Sequence, residues 1–298
     1  MMKYTILFTI WLLPAIAYTQ TIDELVSRYT GENGEAYMQP MSDVFGTSIN
    51  SGWFRSAYIE KGGVQFYFGI VTTLAVISQD KKSFQADFDD VFVPINGQQH
   101  VDAPTIFGSS KAVVVDGQGG TQAYYPGGAD ISTLPFAVPQ FSIGSILGTE
   151  ASFRFFASDF TGSIGKLKLI GVGVRHSISQ YLPKNFPLDL AAGFYWQRFK
   201  TNDMVKSNNY ITSLQASYDF RILTFYGGLG LESSNMDITY QVSGNTDQVS
   251  ILLKEKRTFR LTAGTSFNIG FLKVNADYSI SPLQNVLTLG FGVGLGEQ

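Results

Sequence analysis

From Leu287 to Gly296 the chain alternates without interruption. Leu287, Leu289, Phe291, Val293 and Leu295 take one parity, and Thr288, Gly290, Gly292, Gly294 and Gly296 take the other. Successive side chains of a β-strand point to opposite faces, so this segment has one wholly apolar face and one small, polar face. The segment before it repeats the scheme, with Leu272, Val274, Ala276, Tyr278 and Ile280 against Lys273, Asn275, Asp277 and Ser279. A meander of such strands reaches back to Leu188. A soluble β-sandwich would expose these apolar faces as large patches in water. A barrel in lipid pairs its backbone internally and turns the apolar face to hydrocarbon.

Composition agrees with the barrel. Charged residues make up 15% of the 298 residues, well below the roughly 25% of soluble domains. Aromatics at 14% suit a lipid-facing surface with interfacial girdles. The length suffices for one large all-β domain. A net charge of -3 and a pI near 5.4 argue against nucleic acid as a partner, which needs a basic patch. The absence of cysteine removes disulfides, a thiolate metal site and a lipoprotein anchor.

Residues 1–20 have the form of an export signal: Lys3, an apolar run from Tyr4 to Leu13, and Ala15-Ile16-Ala17 as a cleavage site. The run is too short to span about 30 Å of hydrocarbon. Thr21-Ile22-Asp23-Glu24 then matches a capping box, and Ile22, Leu25, Val26 and Tyr29 recur at helical spacing, closed by Gly31. A second helix is expected over Glu35–Phe45, bent at Pro40. This N-terminal part, residues 21–62, is either a periplasmic cover or a hatch inside a lumen.

Alternation resumes from Val64 to Ser78, and Ser83 to Val93 is its expected hairpin partner. Residues 96–137, with Pro104, Pro126, Pro135 and several glycine runs, read as an irregular insertion holding a short hairpin, Ala112–Val115 against Gln122–Tyr125. Further strands are expected at Gln140–Leu147, Glu150–Ala157, Lys166–Ser179, Leu188–Lys200, Asn209–Phe220, Ile222–Glu232, Arg257–Gly270, Phe271–Ile280 and Asn285–Gly296, with another hairpin within 236–253. Most have the length of about 9–11 residues that a tilted strand needs to cross a bilayer. The fold class that follows is all-β: a transmembrane antiparallel β-barrel over residues 63–298, of about 12 strands (roughly 10–14), with a short N-terminal helical segment.

The polar parity carries Arg154, Arg175, Asp189, Asp219, Arg260, Lys273 and Asp277. An Arg or Lys facing lipid near the midplane costs about 2–4 kcal/mol. These residues are therefore candidates to line a hydrated or plugged lumen, as a structural ion-pair network or as ligand contacts. Catalysis would have to use His100 or His176, the only histidines. His176 shares its parity with Val172, Val174 and Ile178, whereas Ser177 and Ser179 point the other way, beyond the reach a nucleophile and its base require. Asp87, Asp89 and Asp90 lack the full ligand loop of a calcium site. No enzyme activity, cofactor or metal is expected.

Three motifs carry a family resemblance: Phe45-Gly46-Thr47-Ser48-Ile49-Asn50-Ser51-Gly52-Trp53, Ala103-Pro104-Thr105-Ile106-Phe107-Gly108, and Gly171-Val172-Gly173-Val174-Arg175-His176-Ser177-Ile178-Ser179-Gln180-Tyr181. They resemble an uncharacterised family of outer-membrane β-barrels from the Bacteroidota, distantly similar to the long-chain fatty acid transporter barrels, which carry an N-terminal hatch. The resemblance implies a Gram-negative outer-membrane location, membrane lipids as surroundings, and no catalytic residues. Two functions are expected in competition. One is a channel or facilitated transporter for small solutes, hydrophobic ones included. The other is a non-transporting subunit of an outer-membrane secretion, gliding or surface-protein complex.

Overall fold

In the computed structural model the alternating strands close on themselves. The structure describes residues 31–160, 165–183, 185–201, 204–241, 248–254 and 257–296. The expected export signal and the helix beginning at Thr21 lie outside the described residues. Helix α1 (Gly31–Ile49) leads into fifteen strands. These are β1 (Gln65–Val76), β2 (Ser83–Asp87), β3 (His100–Pro104), β4 (Val113–Asp116), β5 (Gln122–Tyr125), β6 (Thr133–Ile146), β7 (Thr149–Phe160) and β8 (Gly165–Ser177). They continue as β9 (Asp189–Thr201), β10 (Val205–Phe220), β11 (Leu223–Gln241), β12 (Gln248–Lys254), β13 (Thr258–Ile269), β14 (Leu272–Ile280) and β15 (Val286–Leu295).

Strands β6 to β11 pair in sequence, β11 continues to β13, β14 and β15, and β1 joins β15 to β6. The result is a closed, antiparallel, ten-stranded barrel, with β12 outside the cylinder on an extension of β11. Ten is the lower bound of the expected count, because the hairpin in 236–253 continues β11 outward and the segment expected as a strand over 83–93 lies outside the barrel sheet. Phe68, Ile70, Phe153, Leu214, Phe225, Leu289 and Phe291 are exposed on the outer wall. That apolar exterior on a cylinder whose first and last strands pair is the construction a strand needs to cross a bilayer. Inside, glycines leave room for flat-lying tyrosines. A Cβ at Gly173 or Gly193 would collide with the Tyr195 ring.

The two ends of the barrel differ. At one end the connections are short: residues 147–148, 221–222 and 270–271, with 178–188 somewhat longer. Gly270 there takes φ +56°, a left-handed conformation that suits glycine. At the other end residues 77–132 build a folded cap. Its strands are β2 with β3 and β4 with β5; β2 packs on α1, which in turn packs on β11 and β12. The cap shares one apolar core with α1, β11 and β12, including Tyr37, Met38, Ile106, Phe107, Met236 and Leu253.

Three local expectations are corrected. Residues 83–93 do not pair with β1; the segment Ser83–Asp87 pairs with His100–Pro104, and the barrel neighbours of β1 are β6 and β15. The helix expected over Glu35–Phe45 runs on to Ile49 with Pro40 inside it, held by burial of Tyr37, Met38 and Val44. The insertion spans residues 77–132, because Pro135 lies within β6.

Candidate functional site: a locked plug and an unpaired wall seam

The lumen contains the protein's own chain. The second half of α1 and residues 50–61 run down the barrel axis, and the order of their wall contacts follows the order of the sequence. Arg260 Nη2 donates to Thr47 O (2.6 Å) and Arg260 Nη1 to Ser51 Oγ (2.6 Å). Arg154 donates to Ile49 O (2.9 Å) and Ser51 O (2.8 Å). Gln140 Nε2 reaches Trp53 O (3.2 Å), Arg175 Nη1 donates to Ser56 O, and Ala57 N donates to Ser217 Oγ (2.9 Å). Three wall guanidiniums thus hold backbone or hydroxyl acceptors of one irregular segment. An extended segment inside a barrel has few partners of its own for its carbonyls, and the arginines supply the donors.

Two of these arginines are paired within the wall. Arg175 Nε lies 2.8 Å from Glu150 Oε1, and Arg260 Nη2 lies 2.6 Å from Glu232 Oε2. Glu150 is directly across the ladder from Arg175, and Glu232 lies two residues along β11 from Gly230, the register partner of Arg260, on the same face. Arg154 is held by neutral groups. Its Nε donates to Gln140 Oε1 (2.9 Å) and its guanidinium lies 3.9 Å from the Trp53 ring centroid. Trp53 stacks in turn on Tyr195, centroids 4.8 Å apart. Gly52 fits where no side chain would, since its φ is +71° and a Cβ would strike Val71 and Thr288. A cavity of about 10 Å³ remains beside the plug, lined by Asn50, Trp53, Tyr195, Arg260 and Asp277. That volume accommodates roughly one water molecule.

The wall around this plug is not uniformly bonded. Strands β6 and β7 pair from Gln140↔Arg154 to Ile146↔Thr149, with a bulge between Ile143 and Ile146. Beyond Gln140, among the described residues, Thr133–Pro139 of β6 and Phe155–Phe160 of β7 are unpaired with each other. Both segments keep their other neighbours, β1 and β8. Pro135 and Pro139 lack the N–H a ladder needs, and proline in a sheet belongs at such an edge. Apolar side chains back the seam from within: Val138, Val71, Leu169 and Phe199 of the wall around Ile49 and Phe45 of α1, with Phe136 and Phe156 at the margin. Phe45 contacts Phe199 and Phe136 at centroid separations of 4.6 and 5.8 Å. The lumen is polar where the arginines lock the plug and apolar behind the seam.

A family model covers residues 1–295. The chain belongs to DUF6588, a family of unknown function. Comparison with curated proteins finds no match. Among solved structures, the chain is similar to Ail, the attachment invasion locus protein of Yersinia pestis, at 11% identity over 78% of this chain and 95% of that one, with a TM-score of 0.28. It is similar to the outer membrane protease OmpT of Escherichia coli at 9% identity, covering 80% and 96%, with a TM-score of 0.27. It is also similar to the toluene transporter TbuX of Ralstonia pickettii at 6% identity, covering 78% and 89%, with a TM-score of 0.28.

For this member of DUF6588, the structure places Arg154, Arg175, Arg260, Lys273 and Asp277 inside the barrel and buries all five. Asp277 accepts from Tyr226 OH at 2.9 Å. Asp189 and Asp219 lie near the short-turn end, only partly buried, and Asp219 accepts from Thr224 Oγ1 at 2.5 Å. Sequence reasoning missed Glu150 and Glu232, the carboxylates that pair with Arg175 and Arg260. Parity could have found the first, since Glu150 shares its face with Arg154. It also missed Arg55, whose guanidinium lies 3.5 Å from the Tyr67 ring centroid. His176 bonds Thr149 Oγ1 and Tyr181 OH at 2.8 Å each, while Ser177 is buried on the opposite face. His100 contacts Asp87 on the cap at 2.6 Å. Among the described residues no group of three or more His, Asp or Glu is placed to hold a metal ion.

Proposed function

We propose that this protein is a gated transporter for small apolar solutes in the outer membrane of a Gram-negative bacterium. Within the N-terminal part, residues 21–62, the lumen-filling segment Thr47–Ala57 supplies the hatch; residues 63–298 supply the barrel, and the β6–β7 seam the lateral portal. The observation that carries this reading is the seam. Unpaired strand edges are tolerated at membrane depth only where protein covers them or a cavity lies behind them. Here the cover is a set of apolar side chains, so the seam can part by rotamer changes without breaking ladder bonds. The surface behind it would receive an apolar molecule from the outer leaflet, and the folded cap leaves the side wall as the more direct route. The reading is also in keeping with the resemblance of the chain's motifs to an uncharacterised barrel family that is itself distantly similar to long-chain fatty acid transporter barrels.

The test is uptake of the apolar dye N-phenylnaphthylamine by intact cells expressing the full chain. Uptake should exceed that of cells without it, and the double variant Pro135→Val with Pro139→Val should abolish the excess by letting β6 zip to β7. Equal uptake in all three strains would remove the transport reading. The folded cap, ordered by a core it shares with α1, β11 and β12, favours a second reading, a scaffold for an outer-membrane complex. Extraction in gentle detergent would then recover a stoichiometric partner that is lost when residues 88–99 are deleted.

A further inference from the structure

The plug has a direction. The first turns of α1 are bound to the cap: Asn33 exchanges two hydrogen bonds with the backbone of Asp87 (2.9 and 3.0 Å), and Tyr37 OH donates to Gly127 O (3.0 Å). Just below, Lys81 pairs with Asp43 at 2.7 Å. At the far end of the plug Lys61 Nζ donates to Gln180 O (3.3 Å) in the 178–188 connection, and Ser145 Oγ, one residue before the end of β6, donates to Gly63 O; both wall residues lie at the short-turn end. The chain therefore crosses the lumen once, from the capped end to the short-turn end, before β1 carries it back through the wall. Transmembrane barrels keep short turns in the periplasm and long connections outside.

We infer that the chain threads its own barrel from the outside inward, so that the first turn of α1 is displayed on the cell surface and the plug is anchored at both ends. This differs from a hatch hinged at the periplasm. Expelling the plug downward would drag Tyr37 and Met38, both fully buried, out of the cap core. Gating is therefore confined to residues 50–59, between the two anchors. The threading holds whether or not the barrel transports anything.

The chain lacks cysteine, so single thiols report cleanly. Glu32→Cys (α1), Gln99→Cys (cap) and Asn185→Cys (the β8–β9 connection) all replace exposed residues. Intact Gram-negative cells producing each full-length variant are treated with a membrane-impermeant maleimide, then permeabilised and treated again. Glu32→Cys should label as fully as Gln99→Cys before permeabilisation, and Asn185→Cys only afterwards. Labelling of Glu32→Cys only after permeabilisation overturns the inference, as does labelling of Asn185→Cys on intact cells. Glu35→Cys, also exposed, replaces Glu32→Cys if that variant fails to assemble.

Discussion

Replacing Arg154 with alanine should release the middle of the plug. The side chain is 1% exposed and makes three hydrogen bonds, to Gln140 Oε1, Ile49 O and Ser51 O. Ile49 O keeps a second donor, Gln197 Nε2, whereas Ser51 O loses the arginine that holds it. Each hydrogen bond to a charged group contributes about 1.5–3 kcal/mol, so the loss of two or more of them costs upward of about 3 kcal/mol. Water can enter the polar vacancy, which favours the lower end, about 3 kcal/mol. At about 1.4 kcal/mol per factor of ten, the released population rises roughly hundredfold. Ala57, fully buried in the plug, supplies the reporter as Ala57→Cys. Its reaction rate with a small maleimide should rise by that factor in the Arg154→Ala background. Arg154→Lys should fall between, because an ammonium keeps the charge but not the planar fork. An unchanged rate in Arg154→Ala, in a barrel that still migrates as folded on an unheated gel, would refute the lock.

Glu150→Gln should strand the Arg175 guanidinium and cost about 3–5 kcal/mol, seen as a lower temperature for loss of the folded gel band; adding Arg175→Met should recover part of it. Leu289→Arg places a charge on the lipid face, at about 2–4 kcal/mol near the midplane, and should depress assembly, while Thr288→Ser, on the lumen face, should not. Gly290 is unsuited as the control, because a Cβ there would strike Asn275. On the cap, burial and then Asp89 and Asp87 push the Tyr125 hydroxyl up to about 12 from 10.0. The folded cap thus keeps a proton the unfolded chain gives up, so its stabilisation is intact below about pH 10 and is lost as pH rises toward 12. Alkaline titration followed by protease cleavage within residues 77–132 should show this loss, and Tyr125→Phe should flatten it.

How far the sequence reaches differs between the wall and what it encloses. Parity alone assigned Leu289 to lipid and Arg154, Arg175, Arg260, Lys273 and Asp277 to the interior, because a strand has only two faces and one of them is uniformly apolar. Turn residues between two short apolar runs located the hairpin of β4 and β5. The same signals misled at Pro135, which read as loop because proline lacks a ladder donor, yet lies in β6 where the edge toward β7 is unpaired. Neither the carboxylate partners nor the plug contacts follow from parity. Glu232 and Arg260 are separated by 28 positions in the chain, and Arg260 and Thr47 by 213.

By itself, then, the sequence determined a barrel in lipid with charge on its inner face, since alternation is a local property that every strand repeats. Only the tertiary structure decided that the barrel closes with ten strands, that Thr47–Ala57 fills its lumen from the capped end, and that the wall between β6 and β7 is sealed by side chains. Those outcomes depend on closure and on contacts between residues far apart in the chain, and no periodicity encodes them.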